Sequence, residues 1–113
     1  MATRVYKTFR EFWPYYVSEH ANPLNRALHF CGTTIVIAAI VCAIVLRKPW
    51  LLALTPVGGY GFAWAGHFLV EKNRPATFTY PFWSLAADFV MYAKTWAGQM
   101  GEEVRSATAP RSA

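Results

Sequence analysis

The chain carries three histidines, His20, His29 and His67, and two of them have a polar partner four residues away: Asn25 before His29, and Glu71 after His67. Residues at i and i+4 lie about 40° apart around a helix, so each pair shares one helical face. An antiparallel hairpin of the two segments brings the pairs level, because the midpoint of 29 and 67 and that of 25 and 71 both fall at residue 48. His20 precedes an Asn22-Pro23 break, and a segment folding back there presents it over the same helix ends. Three imidazoles and one carboxylate converging in this way suit iron, zinc or manganese, and two His plus a carboxylate with open positions is the pattern of non-haem Fe(II) oxygenases. The same ligands with Asp88 as a base serve zinc-dependent hydrolysis, so spacing alone does not choose the metal. Asn25 is better suited to orienting a ligand than to being one. Two weaker strings carry no chemistry. Ser18-Glu19-His20 is not a catalytic triad, which needs spatial rather than sequential neighbours. Gly58-Gly59-Tyr60-Gly61 lacks the strand-turn-helix context and lysine of a phosphate loop.

The elements that must position these groups are apolar. Phe30 to Leu46 is a run of 17 residues without a charge, Arg47-Lys48-Pro49 interrupts it, and Trp50 to Val70 gives 21 more in which His67 is the one residue that charges near neutral pH. Each run is long enough for a bilayer core of about 30 Å, which about 20 helical residues cross. A chain this short lacks the remaining surface to bury two such helices in a soluble bundle. Gly58, Gly59, Gly61 and Gly66 predict close helix contact in the second span, and Pro56 a kink there. Asn22-Pro23 predicts the start of the first span, with Asn as N-cap, so that it runs from Pro23 to Leu46. Ahead of it, Thr3 to Glu19 places Val5, Phe9, Phe12 and Tyr16 near one face, as in an interfacial amphipathic helix, against the presence of Pro14. Glu71 to Pro75 reads as a polar turn and Ala76 to Tyr80 as a connector, after which Pro81 opens another helix. On that helix Ser84, Asp88, Tyr92, Thr95 and Gln99 form a polar stripe. The aromatics Phe12, Trp13, Tyr15, Tyr16, Tyr80, Phe82 and Trp83 flank the spans as an interfacial belt.

Composition agrees. The chain has 113 residues, 55% hydrophobic, 17% aromatic and only 15% charged, against about 25% charged in a soluble domain. Intrinsic disorder is excluded as a class. The formal charge of +5 comes from basic residues that occur singly or in pairs, which argues for an anionic lipid surface rather than nucleic acid. Cys31 and Cys42 fit neither a disulfide framework nor a zinc cluster and read as reduced packing residues. The N-terminal stretch has no apolar core of a secretory signal. The expected architecture is an all-α integral-membrane helical bundle: an N-terminal interfacial helix, a transmembrane hairpin and a C-terminal helix, with residues 1–100 forming one domain and 101–113 a disordered tail.

The strings His20-Ala-Asn-Pro-Leu-Asn-Arg-Ala-Leu-His29-Phe-Cys-Gly32 and Gly66-His67-Phe-Leu-Val-Glu71-Lys-Asn-Arg-Pro75-Ala-Thr-Phe resemble a family of small integral-membrane proteins whose enzymatically assigned members act in phytosphingosine breakdown. The similarity runs from about Phe12 to Tyr92. It implies an Fe(II)-dependent dioxygenase that α-oxidises 2-hydroxy fatty acids, with O2, to the acid one carbon shorter. It also implies His20, His29 and His67 as iron ligands, with Asn25 and Glu71 on motif positions. The continuation from Pro75 to Asp88 is similar to the short bacterial-type branch, which leaves the substrate open. There the eukaryotic branch tends to place Glu where Asp88 stands, and a Gln before its Gly-His that is absent here. The location implied is the bacterial inner membrane, or the endoplasmic reticulum in a eukaryote.

On this reading Glu71 is a further candidate ligand, Asn25, Glu71 and Asp88 are candidate catalytic groups, and Arg26, Lys72 or Arg74 can hold a substrate carboxylate. The bilayer, a 2-hydroxy fatty acid or related lipid, and O2 are the expected partners, without nucleic acid and with room for a homo-oligomer. Two other classes stay open: a haem held axially by His29 and His67 in an electron-transfer module, and a non-catalytic membrane scaffold.

Overall fold

The computed structural model of the chain describes residues 6–109, which contain helices and turns and no strand. The α-helices are α1 (Phe9–Ser18), α2 (Pro23–Val45), α3 (Leu54–Ala65), α4 (Pro81–Trp96) and α5 (Met100–Thr108). Two short 3-10 helices, Pro49–Ala53 and Ala76–Phe78, and a π-helical segment, Gly66–Glu71, lie between them. The all-α architecture expected from sequence is the one observed.

α1 begins at Thr8, whose Oγ1 accepts from Glu11 N–H at 3.1 Å while Glu11 Oε2 accepts from Lys7 N–H at 3.2 Å. This reciprocal arrangement satisfies donors that a helix start leaves orphaned. The helix continues through Pro14 because its buried face, Phe12, Tyr16 and Val17, is held by tertiary packing. Part of the predicted helix, residues 3–5, lies outside the described residues.

The hairpin forms as the midpoint argument requires. Asn22 caps α2, its Oδ1 accepting from Leu24 N–H at 2.9 Å, with Pro23 in the first turn. α2 and α3 approach where side chains vanish: a Cβ on Gly32 would fall 2.7 Å from Gly58 O, and one on Gly58 2.5 Å from Ile35 Cγ2. The reversal follows α2, with Arg47 in the left-handed region at φ 55°. Among the described residues α2 is the one helix long and apolar enough to cross a membrane, with mean hydropathy 2.4. The second predicted span is instead a succession of 3-10 turn, α3 and π segment. Pro49 sets the tight first turn, and Pro56 falls in the first turn of α3, where its missing N–H has no intrahelical partner to lose. Ile44, Val45, Val57 and Leu69 point outward, 72, 70, 71 and 74% exposed.

Two expectations are revised by the core. Phe12, Tyr16 and Tyr80 do not form a belt; they are buried with Val17, Ala87 and Met91 where α1 lies on α4. Burial of each large ring contributes about 1.5–3 kcal/mol, which fixes α1 to the bundle. Phe82, 83% exposed, keeps a peripheral position. The tail predicted to be disordered from residue 101 is helical to Thr108, because Met100, Val104 and Ala107 recur on one face and pack against the same core. Trp13 Nε1–H donates to Glu103 Oε1 at 2.6 Å and ties α5 to α1. Residues 110–113 lie outside the described residues.

Candidate metal centre

Each histidine is delivered by a different piece of the fold. His20 follows the last turn of α1, its N–H bonded to Val17 O at 2.9 Å, and its ring stacks on Tyr16 with centroids 4.0 Å apart. His29 sits in the second turn of α2, and His67 is the second residue of the π segment. All three are buried, and one ring nitrogen of each lies within 4.8 Å of the others. The ring planes are near perpendicular, at 81°, 81° and 89°, with centroids 4.5, 4.5 and 4.9 Å apart.

The outer nitrogens decide what the inner ones offer. His20 Nδ1–H donates to Tyr16 O at 2.6 Å, and His29 Nδ1–H to Asn25 O at 2.9 Å. Carbonyl oxygens only accept, so both Nδ1 atoms carry the proton. His67 Nδ1 meets Asn73 Oδ1 at 2.7 Å, and that amide is oriented because its Nδ2 donates to Glu19 O and Glu19 Oε2 at 3.0 and 3.1 Å. The third Nδ1 is therefore a donor as well. Each Nε2 is left with a bare lone pair facing inward, and those of His20 and His29 are 3.2 Å apart. Burial, and then His29 and His67, hold His20 well below the ordinary imidazole range, which favours its neutral ring.

A divalent metal ion fits it. Neutral imidazoles are the required ligand form, their Nδ1–H groups are already held by acceptors, and two nitrogens about 2.0–2.1 Å from one ion stand about 3 Å apart. A haem does not fit between His29 and His67, because the His20 ring is 4.5 Å from each of them.

Glu71 is not in this group of ligand atoms. Its Oε1 accepts from Asn22 N–H at 2.6 Å and Asn25 Nδ2 at 3.4 Å, so the carboxylate sits on the N-terminus of α2, where unpaired N–H groups and the helix dipole favour it. Asn25 is fully buried between Glu71 and Gly66. A Cβ on Gly66 would fall 1.8 Å from Asn25 Oδ1, so only glycine admits this side chain. Arg26 Nη1 donates to His20 O and Ala21 O, both at 2.8 Å, clamping the α1–α2 junction. Lys72 is exposed in the left-handed conformation, and the Arg74 guanidinium lies 5.0 Å over the Phe78 ring. None of these three cations lines the cavity beside the histidines.

That cavity, about 280 Å³, opens from the three histidines and runs along the hairpin past Thr33, Val36, Gly59 and Ala63 toward Thr55. Its other wall is α4, with Ser84, Leu85, Asp88 and Phe89. Tyr16 Oη–H donates to Asp88 Oδ1, a contact that links the ring stacked on His20 to the cavity wall. Burial pushes the Asp88 carboxyl up to about 6, with the Tyr16 hydrogen bond opposing.

Asn73 and Tyr16 are the residues that sequence reasoning missed. Asn73 stands in a stretch that reads as a solvated turn, and Tyr16 in one that reads as an aromatic belt; the only available signal was their closeness in sequence to His67 and His20.

Residues 6–100 match the family model described as 2-hydroxy-palmitic acid dioxygenase Mpo1-like, and the chain belongs to that family. No curated protein and no solved structure matches the chain.

Proposed function

We propose that this protein is an Fe(II)-dependent membrane dioxygenase that converts 2-hydroxy fatty acids to the acid one carbon shorter. The observation that carries the reading is the set of three inward Nε2 lone pairs, each fixed by an engaged Nδ1, at the end of an apolar cavity. The family description supports the substrate class. Oxidising C2 to a carboxyl group with loss of C1 balances with one O2, giving carbon dioxide and water.

His20, His29 and His67 would hold the iron, which supplies the redox chemistry with O2 when bound. The chain does the rest. Asn73 and the carbonyls of Tyr16 and Asn25 keep the imidazoles neutral and aimed inward. Glu71 and Asn25 bind the start of α2 to the end of the π segment and hold His29 level with His67. Asp88 Oδ2 accepts the proton of the substrate 2-hydroxyl, while Tyr16 Oη–H steadies Oδ1. The acyl chain lies along Val36, Gly59 and Ala63, where water is excluded. Exposed Lys72 and Arg74 draw the anionic head toward the site.

The outward apolar residues of the hairpin support placement in a bilayer, with the histidines at headgroup depth, where an amphipathic acid presents its polar end. The test is metal analysis of detergent-purified protein beside His20→Ala, His29→Ala and His67→Ala, followed by an aerobic assay with 2-hydroxypalmitic acid. About one iron per chain in the wild type, lost in each variant together with conversion to the C15 acid, is the expected result. Metal-free wild type that gains no activity from added Fe(II) rejects the reading.

A further inference from the structure

Five hydroxyl side chains on the α-helices of this protein are spent on a carbonyl three or four residues earlier: Ser18 on Tyr15 O, Thr34 on Phe30 O, Thr55 on Leu52 O, Thr95 on Met91 O and Thr108 on Val104 O, at 2.7–2.8 Å. Such back-bonding is the ordinary fate of a helical Ser or Thr. Ser84 departs from it. It is 2% exposed, its Oγ has no partner among the described residues, and it is one of the residues that line the cavity. A buried hydroxyl without a partner is costly, and its persistence calls for a ligand. Asp88 lies one helical turn further along α4 and lines the same cavity. Residues at i and i+4 have Cβ atoms about 5–6 Å apart, a gap that one hydroxyl group can bridge by accepting from one side and donating to the other.

We propose that Ser84 is a specificity-determining residue: its Oγ–H donates to the 2-hydroxyl oxygen of the bound acid, whose own proton points to Asp88. The inference rests on the proposed substrate class and assigns the group that tells a 2-hydroxy acid from a plain one. A plain fatty acid leaves Ser84 unpaired in the complex, as it is in the free protein, so it gains nothing from this wall. Ser84 does not act on the reacting bond.

The test is equilibrium binding of 2-hydroxypalmitic acid and palmitic acid to the full chain in nanodiscs, under argon so that no turnover intervenes, for wild type and Ser84→Ala. The wild type should prefer the hydroxy acid, and Ser84→Ala should cut that preference about five- to tenfold, the effect of one neutral hydrogen bond, with palmitic acid binding unchanged. Thermal unfolding should show Ser84→Ala as stable as wild type or more so, since it removes an unpaired hydroxyl. A preference that survives in Ser84→Ala, or equal weakening of both acids, overturns the proposal, as does a wild type that shows no preference. Preferential binding that Ser84→Ala abolishes, in a protein that never oxidises either acid, leaves Ser84 in place and removes the dioxygenase reading instead.

Discussion

His67 Nδ1–H donates to Asn73 Oδ1 at 2.7 Å, across the end of the π segment, and the Asn73 N–H returns to His67 O at 2.9 Å. One residue thus fixes both the ring and the main chain of a candidate ligand. Asn73→Ala removes the acceptor and the link to Glu19. Metal affinity should fall about 10–100-fold, as for loss of other groups that hold a ligating histidine. Competition with a chelator of known affinity measures it; Asn73→Asp, which keeps an acceptor, should retain most of the affinity.

Gly66→Ala should destabilise the protein by about 3 kcal/mol or more, since its Cβ would collide with the buried Asn25 amide at 1.8 Å. Gly61 has nothing within 4 Å of such a Cβ, so Gly61→Ala should be neutral or gain up to about 1 kcal/mol from helix propensity. Chemical denaturation of the two variants side by side gives the comparison.

Asp88 binds its proton more tightly in the folded chain, at about 6, than at its ordinary 3.8. The folded state therefore holds more protons between those values, and stability falls as pH rises from about 4 to about 6 and stays reduced above. Asp88→Asn keeps an acceptor for Tyr16 without the charge. It should raise the unfolding temperature at pH 7.5, by the equivalent of at most about 3 kcal/mol, and the gain should disappear near pH 4. Equal gains at both pH values would show that the carboxyl does not titrate in this window.

Chelation should lower the unfolding temperature of metal-loaded wild type. An ion held at 100 times its dissociation constant stabilises the folded chain by about 2.7 kcal/mol, and the ion would join the three segments that carry His20, His29 and His67. The shift should be absent in His29→Ala. Differential scanning fluorimetry with and without chelator records it.

The hairpin and the meeting of His29 with His67 were legible because they follow from helical periodicity and from one midpoint at residue 48. His20 was reachable because Asn22-Pro23 marks a break that turns α1 back. Less legible was Glu71, whose side chain was placed by α-helical spacing. The π segment bonds i to i+5 and alters that angular relation, and the carboxylate is found on the end of α2. Whether Phe12, Tyr16 and Tyr80 meet lipid or protein depends on α4 lying beneath them, a tertiary fact that local pattern does not contain. α5 was hidden by averaging: small polar residues dominate the tail, while three apolar ones at helical spacing suffice to dock it. Ser84 was visible as part of a polar stripe, but its lack of a partner exists only in three dimensions.

Two of the three imidazoles lean on main-chain oxygens, those of Tyr16 and Asn25, which no substitution can delete. The third leans on a side chain. Any drift or engineering that seeks to alter how strongly the trio donates electrons, without changing the trio itself, has one accessible dial, and it is position 73.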